Sequence, residues 1–202
     1  MDKLVPTKCI RDSAEIFSIG TNSRLNRMKA VIPVAWEKPP IGWLKLNFDG
    51  SGLGNSGKAR GGGLIRDHQG NWIRGYARSL GNTNSFIVEL WALRDGLTIA
   101  KELRINNLIV EMDALSVVML MNNSSANLLI EPFLSDCRNL LKDIPNKRIV
   151  HTFREANQCA DALARFGGSF SSFVVFLYPS PMVVEPLFAN KEAVCCNRLG
   201  FS

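Results

Sequence analysis

The sequence predicts an α/β fold in which three antiparallel strands come first and helices cover both faces of a mixed five-stranded sheet. Residues 44–48 alternate apolar and polar side chains, as a half-buried strand does. The segments GLIRD and NWIRGYARSL flank HQG, which predicts a β-hairpin with Gly70 in its turn. From residue 86 onward, helical patterns alternate with strands, and this arrangement favours crossover connections.

The predicted order of elements is β-β-β-α-β-α-α-β-α. The helix FIVELWALRDGLTIAKELR follows a capping pair, Asn84-Ser85. The strand LIVEMD precedes a short helix, ALSVVMLM, and another helix is expected over about 131–143. The strand RIVHTF and the helix NQCADALARF close the unit, and the glycine pair after that helix is typical of a helix end.

Three segments are expected along the chain. Residues 1–35 are expected to be a poorly ordered lead-in, residues 36–167 a folded domain and residues 168–202 an irregular C-terminal tail. The Pro39-Pro40 pair disfavours a helix and marks the start of the domain. The tail is aromatic, interrupted by prolines and without a clear period.

Composition narrows the classes of protein. The 202 residues are 46% hydrophobic, which suits one domain with additional terminal segments. The net charge of +6 is compatible with a polyanionic partner, and equally with a charge that serves solubility. The five cysteines form no CxxC pair, so we expect reduced thiols in an intracellular protein of the cytoplasm or nucleus. No secretory signal and no membrane span is expected.

Four acids stand out by their positions. Asp49 ends the first strand, and Asp113 ends the strand LIVEMD. Asp161 lies one turn into the last predicted helix. Glu89 falls on the apolar face of the first helix, where a bare charge would cost several kcal/mol, to order of magnitude.

Each acid also has a structural interpretation. Aspartates are common in turns and at helix N-caps, which suits Asp49 and Asp113. Asp161 has Arg165 four residues further on, as in a weak helical ion pair. Glu89 could extend its carboxylate to solvent from the edge of the helix, or pair with Arg78 or another base.

Together, the four positions could meet at one point, because sheet edges and crossover helices converge. Four converging carboxylates repel one another strongly without cations. Their hard oxygen donors favour Mg²⁺ or Mn²⁺. Two such ions about 3.5–4 Å apart can activate a water and stabilise the leaving oxygen of a phosphodiester.

Five segments carry a family resemblance. WLKLNFDGS, GGGLIRDHQGNWIRGYA, VELWALRDGLTIA, LIVEMDALSVV and REANQCADALARFG occur in this order. In order and spacing they resemble the plant ribonuclease H-like domain, which is related to the ribonuclease H portion of non-LTR retrotransposon polyproteins. The resemblance covers residues 36–167 and implies a ribonuclease H-like fold. It also implies a retroelement remnant or a domesticated descendant.

The resemblance implies an activity and a site. The expected activity is endonucleolytic hydrolysis of the RNA strand of an RNA–DNA hybrid, with two Mg²⁺ or Mn²⁺ ions. The implied catalytic and metal-binding residues are Asp49, Glu89, Asp113 and Asp161. The expected substrate contacts are the amides around Gly50 and Ser51 and the polar side chains of Asn84 and Ser85. Helix capping is the alternative role for the last two.

Some features depart from the family pattern. Bacterial-type relatives carry a catalytic histidine in the loop before the last helix, where this chain has only REAN. His151 lies in the preceding strand, and Glu155 is a substitute to consider. Leu115 stands where those enzymes place a groove-contacting amide. A monomer that binds RNA–DNA hybrid or other nucleic acid is expected, and a non-catalytic binding module or an inactive remnant remains the alternative.

Overall fold

The computed structural model describes residues 29–52, 58–122 and 130–201. Within them, the strands are β1 Lys29–Val34, β2 Leu44–Gly52, β3 Lys58–Arg66, β4 Trp72–Asn82, β5 Asn107–Met112, β6 Asn146–His151, β7 Val174–Phe176 and β8 Cys196–Phe201. The helices are α1 Ser85–Glu102, α2 Leu115–Asn122, α3 Glu131–Lys142, α4 Gln158–Phe166 and α5 Pro181–Lys191. From β2 to α4, this order is the one that the sequence predicts.

In the described residues, six strands form one mixed sheet in the order β6-β5-β2-β3-β4-β7. Strands β2, β3 and β4 are antiparallel, and β5 and β6 run parallel to β2. The predicted α/β class is confirmed. The predicted number of five strands is wrong by one, because Val174–Phe176 pairs with the outer edge of β4.

Helices cover both faces of this sheet. In β3, Leu64 and Ile65 point to opposite faces because side chains alternate along a strand. Ile65 belongs to the larger core cluster, together with α1 and its Leu93. Leu64 belongs to a smaller cluster, together with Leu163 of α4. The two clusters hold α1 and α4 against the two sides of the same strands.

Glycines set the separation between helices and sheet. A Cβ atom on Gly96 of α1 would lie 2.6 Å from the Tyr76 hydroxyl oxygen, so the helix contacts the sheet closely only because this position has no side chain. On the other face, a Cβ on Gly62 would lie 2.5 Å from the Ala164 nitrogen of α4. The Tyr76 hydroxyl also donates a 2.7 Å hydrogen bond to the carbonyl of Ala92, which ties β4 to α1.

The terminal segments differ from expectation. Strands β1 and β8 pair antiparallel in a separate two-stranded sheet, called the terminal ribbon below. The expectation of an irregular tail is therefore wrong for β7, α5 and β8. Prolines usually indicate irregular chain, but Pro181 occupies the start of α5, where its missing N–H costs no helical hydrogen bond. The expected disorder is also wrong for Lys29–Val34, and residues 1–28 lie outside the described residues.

A buried polar network connects side chains of β2, β3 and β5. Asn47 accepts hydrogen bonds from the Trp36 indole at 3.0 Å and from Arg66 at 2.7 Å, and donates to Glu111 at 2.9 Å. The ammonium of Lys45 lies 3.2 Å from the other Glu111 oxygen. Each of these charges thus has a counter-charge or a polar partner.

The C-terminal helix closes this network. The Arg66 guanidinium donates a 2.7 Å hydrogen bond to the side-chain oxygen of Asn190 in α5. It also stacks 3.5 Å from the centre of the Trp36 ring. Asn190 of the C-terminal segment is therefore part of the domain interior. None of the helices in the described residues has the length and hydropathy of a membrane-spanning segment.

Candidate active site

Three of the four predicted acids meet at one end of the sheet. Asp49 lies near the end of β2, Glu89 in the second turn of α1 and Asp113 just after β5. One carboxylate oxygen from each lies within 4.8 Å of the others. Gly50 permits this arrangement because it has no side chain. A Cβ atom at its position would lie only 2.7 Å from the Glu89 nitrogen and would clash with it. The three residues Asp49, Glu89 and Asp113 are called the acid cluster below.

The three acids of the acid cluster have raised pKa values. Burial raises the pKa of Asp49 to about 7, and the carboxylates of Asp113 and Asp161 act in the same direction. Burial also raises the pKa of Glu89 well above its ordinary value, with Asp49 and Asp113 adding to the effect. The pKa of Asp113 is raised by burial as well. Near neutral pH, the cluster therefore retains protons that a cation would displace.

The donor set of the acid cluster fits a hard cation. Asp49 Oδ2 and Glu89 Oε2 are buried and have no hydrogen-bond partner. The Gly50 N–H donates to the Glu89 carboxylate, and Asn157 Nδ2 lies 3.4 Å from Asp113 Oδ1. Buried oxygens without a donor are costly, and Mg²⁺ or Mn²⁺ would satisfy them with the oxygen ligands that these ions prefer.

Asp161 is close to the acid cluster but is held differently. Its Oδ1 lies 3.1 Å from Arg154, and its Oδ2 lies 2.8 Å from Arg165. The pair with Arg165 is the i,i+4 pair that the sequence offered as the alternative. Asp161 still acts on Asp49 through its charge, but both of its oxygens are engaged by guanidinium groups.

The alternative proposed for Glu89 is not what the structure shows. Arg78, the expected partner, lies 2.8 Å from Asp95 instead. Among the described residues, Glu89 faces Asp49 and Asp113 and forms no ion pair with a base, although the charge of Arg154 acts on it. Its position on the buried side of α1 is the feature that the sequence made hardest to explain without a cation.

The four expected substrate-contacting residues lie around the start of α1 and the end of β2. The Gly50 amide is engaged by Glu89, and Ser51 lies in β2 opposite Arg60. Asn84 caps α1, since its side-chain oxygen accepts from the Ile87 nitrogen at 2.9 Å. Ser85 is exposed at the first position of α1. For Asn84, the capping role is therefore the one present in the structure.

Sequence reasoning missed two residues that shape the site. Arg154 lies beside Asp161, and Asn157 is buried at the start of α4, where it donates a 2.9 Å hydrogen bond to the Phe48 carbonyl. The REAN segment carried the signal, because it brings a cation and a buried amide next to the helix of Asp161. The four-residue spacing to Arg165 predicts an i,i+4 ion pair, and the structure contains that pair.

The residues marked as departures have other contacts. His151 is half-buried in β6 and packs edge-to-face on Phe153, with ring centres 5.6 Å apart. Leu115 begins α2 and is exposed. Glu155 lies 3.0 Å from Arg198 of β8, so an ion pair occupies the residue considered as a histidine substitute.

An open cleft of about 560 Å³ adjoins Asp161. Arg154 lines it from the turn before α4, Arg165 from α4 and Glu185 from α5. The cleft gives the two guanidinium groups access to solvent, where side chains of Arg154 and Arg165 are 65% and 63% exposed. A phosphate-bearing ligand could meet these arginines next to the acid cluster.

The mixed sheet order, the flanking helices and the acids at the strand ends define the ribonuclease H fold class. RNase H1 from Halobacterium salinarum NRC-1 has this fold, with a TM-score of 0.59 and 22% identity over 63% of this chain and 98% of that one. LC11-RNase H1, solved in complex with an RNA/DNA hybrid, gives a TM-score of 0.54 and 25% identity, over 61% of this chain and 94% of that one.

Residues 47–167 match the family model described as "Reverse transcriptase-like", and the chain belongs to this family. An Arabidopsis thaliana protein provisionally named a ribonuclease H protein is 34% identical over 152 residues. The match covers 75% of this chain but only 24% of that relative's length. The predicted family resemblance is confirmed.

Proposed function

We propose that this chain is a divalent-metal-dependent endonuclease that hydrolyses the RNA strand of RNA–DNA hybrids by a two-metal mechanism. One observation carries the proposal: Asp49, Glu89 and Asp113 form a cluster in which two buried carboxylate oxygens have no partner. The ribonuclease H relatives, one of them solved with an RNA/DNA hybrid, support the substrate class.

The acid cluster would hold one Mg²⁺ or Mn²⁺ ion. Asp49 and Asp161 would hold a second ion if Asp161 exchanged its arginine partners for the cation. When bound, the ions activate water and stabilise the charge that develops on the leaving oxygen. The raised pKa values of Asp49 and Glu89 mean that the loaded site releases protons when it forms.

The chain's own residues would orient the reacting groups. Asn157 holds Asp113 through its amide and is itself fixed by the Phe48 carbonyl. Arg154 and Arg165 offer guanidinium groups to the phosphates of the RNA strand at the edge of the cleft. Hybrid recognition would rest on duplex shape and 2′-hydroxyl groups, because an A-like duplex exposes little base sequence.

A cleavage assay tests the proposal. The purified chain, with Mg²⁺ or Mn²⁺ and an end-labelled hybrid, should cut the RNA strand and leave double-stranded DNA intact. Asp113→Asn keeps the shape of the side chain but removes its charge, and we expect at least a ~100-fold loss of rate. Asp143→Asn, a surface acid paired with Lys101, is the matched control and should retain full activity. Equal cleavage by the Asp113→Asn protein would assign the activity to another site or a contaminant.

A second function is favoured by the double pairing of Asp161. If its two arginines never release it, the chain would bind nucleic acid without cutting it. This binding module predicts a hybrid affinity that falls with salt, as phosphate contacts require, and no cleavage even with Mn²⁺. Metal-dependent cleavage that disappears in Asp113→Asn would exclude it.

A further inference from the structure

The 3-10 turn Arg154–Ala156 contacts the terminal ribbon and carries Arg154, whose charge acts on the acid cluster. We propose that Arg198 of the terminal ribbon is a positioning residue, which fixes this turn so that Arg154 stands beside Asp161 and lowers the affinity of the acid cluster for divalent cations. The second half of this inference rests on the proposed metal site. The first half depends only on the contacts of Arg198.

Arg198 contacts the residues on both sides of Arg154. Its Nη1 lies 3.0 Å and 3.3 Å from the two carboxylate oxygens of Glu155. Its guanidinium carbon lies 4.3 Å from the centre of the Phe153 ring. An ion pair on one side and a cation–π contact on the other restrict the backbone at Arg154 more than either contact alone.

The other strand of the ribbon supports the same turn. Val34, at the end of β1, forms a small buried cluster with Trp36 and Ala156. Strand β8 pairs with β1 in a register that places Arg198 opposite Ile32. The turn is therefore held from two strands, one through an apolar contact and one through Arg198.

Arg154 needs such support because its side chain is 65% exposed. A long exposed side chain loses rotamer freedom when it is held in one geometry, and a fixed backbone reduces that loss. In its observed position, Arg154 donates to Asp161 Oδ1 at 3.1 Å, and its positive charge acts on Asp49 and Asp113.

This placement opposes a cation in two ways. Arg154 competes for Asp161 with the second ion that Asp49 and Asp161 would share, and its charge repels an ion in the acid cluster. Screening at physiological salt keeps the repulsion between Arg154 and an ion in the acid cluster modest. Releasing the turn should therefore raise the affinity for Mn²⁺, and removing Arg154 should raise it further.

The experiment combines metal titration with amide hydrogen exchange on the full chain. Calorimetric titration with Mn²⁺ should give a Kd that is lowered roughly threefold in Arg198→Ala and roughly fivefold in Arg154→Ala, to order of magnitude. The double variant should match Arg154→Ala, because Arg198 acts through Arg154. Exchange at residues 154–158 should be faster in Arg198→Ala than in the native chain.

Two further variants complete the test. Glu155→Gln weakens the same ion pair without altering β8, so it should reproduce both effects even if Arg198→Ala disturbs the ribbon. Asn197→Ala, on an exposed neighbour in β8, is the matched control and should change neither measurement.

The outcomes separate the two halves of the inference. Unchanged exchange at residues 154–158 in both Arg198→Ala and Glu155→Gln would overturn the positioning role. An equal gain of Mn²⁺ affinity from Arg198→Ala in the presence and absence of Arg154 would overturn the route through Arg154. If no variant binds Mn²⁺ but exchange is faster, the positioning role stands while the effect on metal affinity and the proposed function both fail.

Discussion

Strand β2 supplies residues to two buried polar sites that are built on opposite principles. Lys45 and Asn47 join the network with Glu111 and Arg66, where each charged group meets a partner. Asp49, two residues further along the same face, joins the acid cluster, where only acids meet. The first site has both signs of charge, and the second has one.

The difference shows which site is structural. Burying charges is costly unless partners offset the lost hydration, and the Lys45–Glu111 pair has such partners. The acid cluster leaves Asp49 Oδ2 and Glu89 Oε2 without any. A folded protein that keeps such a cluster has a site where a cation would lower the free energy of the native state.

The largest expected effect comes from removing one charge in the network. Glu111→Gln keeps the volume of the side chain but leaves the buried Lys45 ammonium without its counter-charge. We expect the free energy of unfolding to fall by about 3 kcal/mol, as measured by urea denaturation.

A surface pair provides the control for that variant. Asp143→Asn removes a charge from an exposed pair with Lys101 and should leave the denaturation midpoint unchanged. If Glu111→Gln were as harmless as Asp143→Asn, the network would contribute nothing to stability and the contrast between the two sites would fail.

The network also marks the limit of sequence reasoning about the fold. The alternation in residues 44–48 predicts the strand, but it also predicts that Lys45 and Asn47 lie on a polar face. In the structure they are buried, because α4, α5 and the Trp36 segment cover that face. Long-range cover of this kind leaves no periodic signal in the strand itself.

For the candidate site, local pattern was more informative. The position of Glu89 on an apolar helix face and of Asp49 and Asp113 at strand ends predicted a convergence that the structure shows. Spacing could not decide whether Asp161 is a metal ligand or part of a helical ion pair, since Arg165 at i+4 is compatible with both. Only the fold shows that Arg154 binds the same carboxylate from the preceding turn.

The next expected effect is the stabilisation of the acid cluster by a cation. Mn²⁺ at about 100 times its Kd should raise the free energy of unfolding by about 2.7 kcal/mol, because the ion binds only the folded cluster. Thermal unfolding by circular dichroism, with Mn²⁺ and with EDTA, measures the difference. Glu89→Gln should lose most of this stabilisation, and Asp143→Asn should retain it. Equal stabilisation of the Glu89→Gln protein would mean that Mn²⁺ binds elsewhere.

Removing one charge should lower the free energy of unfolding at the network but raise it at the acid cluster. The folded-state pKa of Asp49 is about 7, above its ordinary value of 3.8, so the native protein holds this proton where the unfolded chain has lost it. Stability of the metal-free protein should therefore fall as pH rises from about 4 to about 7. Asp49→Asn should remove this penalty and stabilise the metal-free protein by about 2 kcal/mol at pH 8.

Urea denaturation in EDTA at pH 5 and pH 8 measures this reversal. The gain from Asp49→Asn should be clearly smaller at pH 5, where the native carboxyl is already protonated. The same substitution should abolish stabilisation by Mn²⁺. A loss of stability at pH 8, like that expected for Glu111→Gln, would show that Asp49 has a counter-charge and that the two sites do not differ in kind.

The smallest expected effect separates support of the acid cluster from contact with substrate. Asn84 caps the helix that carries Glu89, so Asn84→Ala should lower the free energy of unfolding by about 1 kcal/mol. Ser85→Ala, at the exposed next position, is the matched control for stability. If Asn84 acts only as a cap, hybrid affinity at fixed salt should be unchanged in Asn84→Ala under conditions in which the protein stays folded. A loss of hybrid affinity without a loss of stability would instead assign Asn84 to the substrate, as the family resemblance implies.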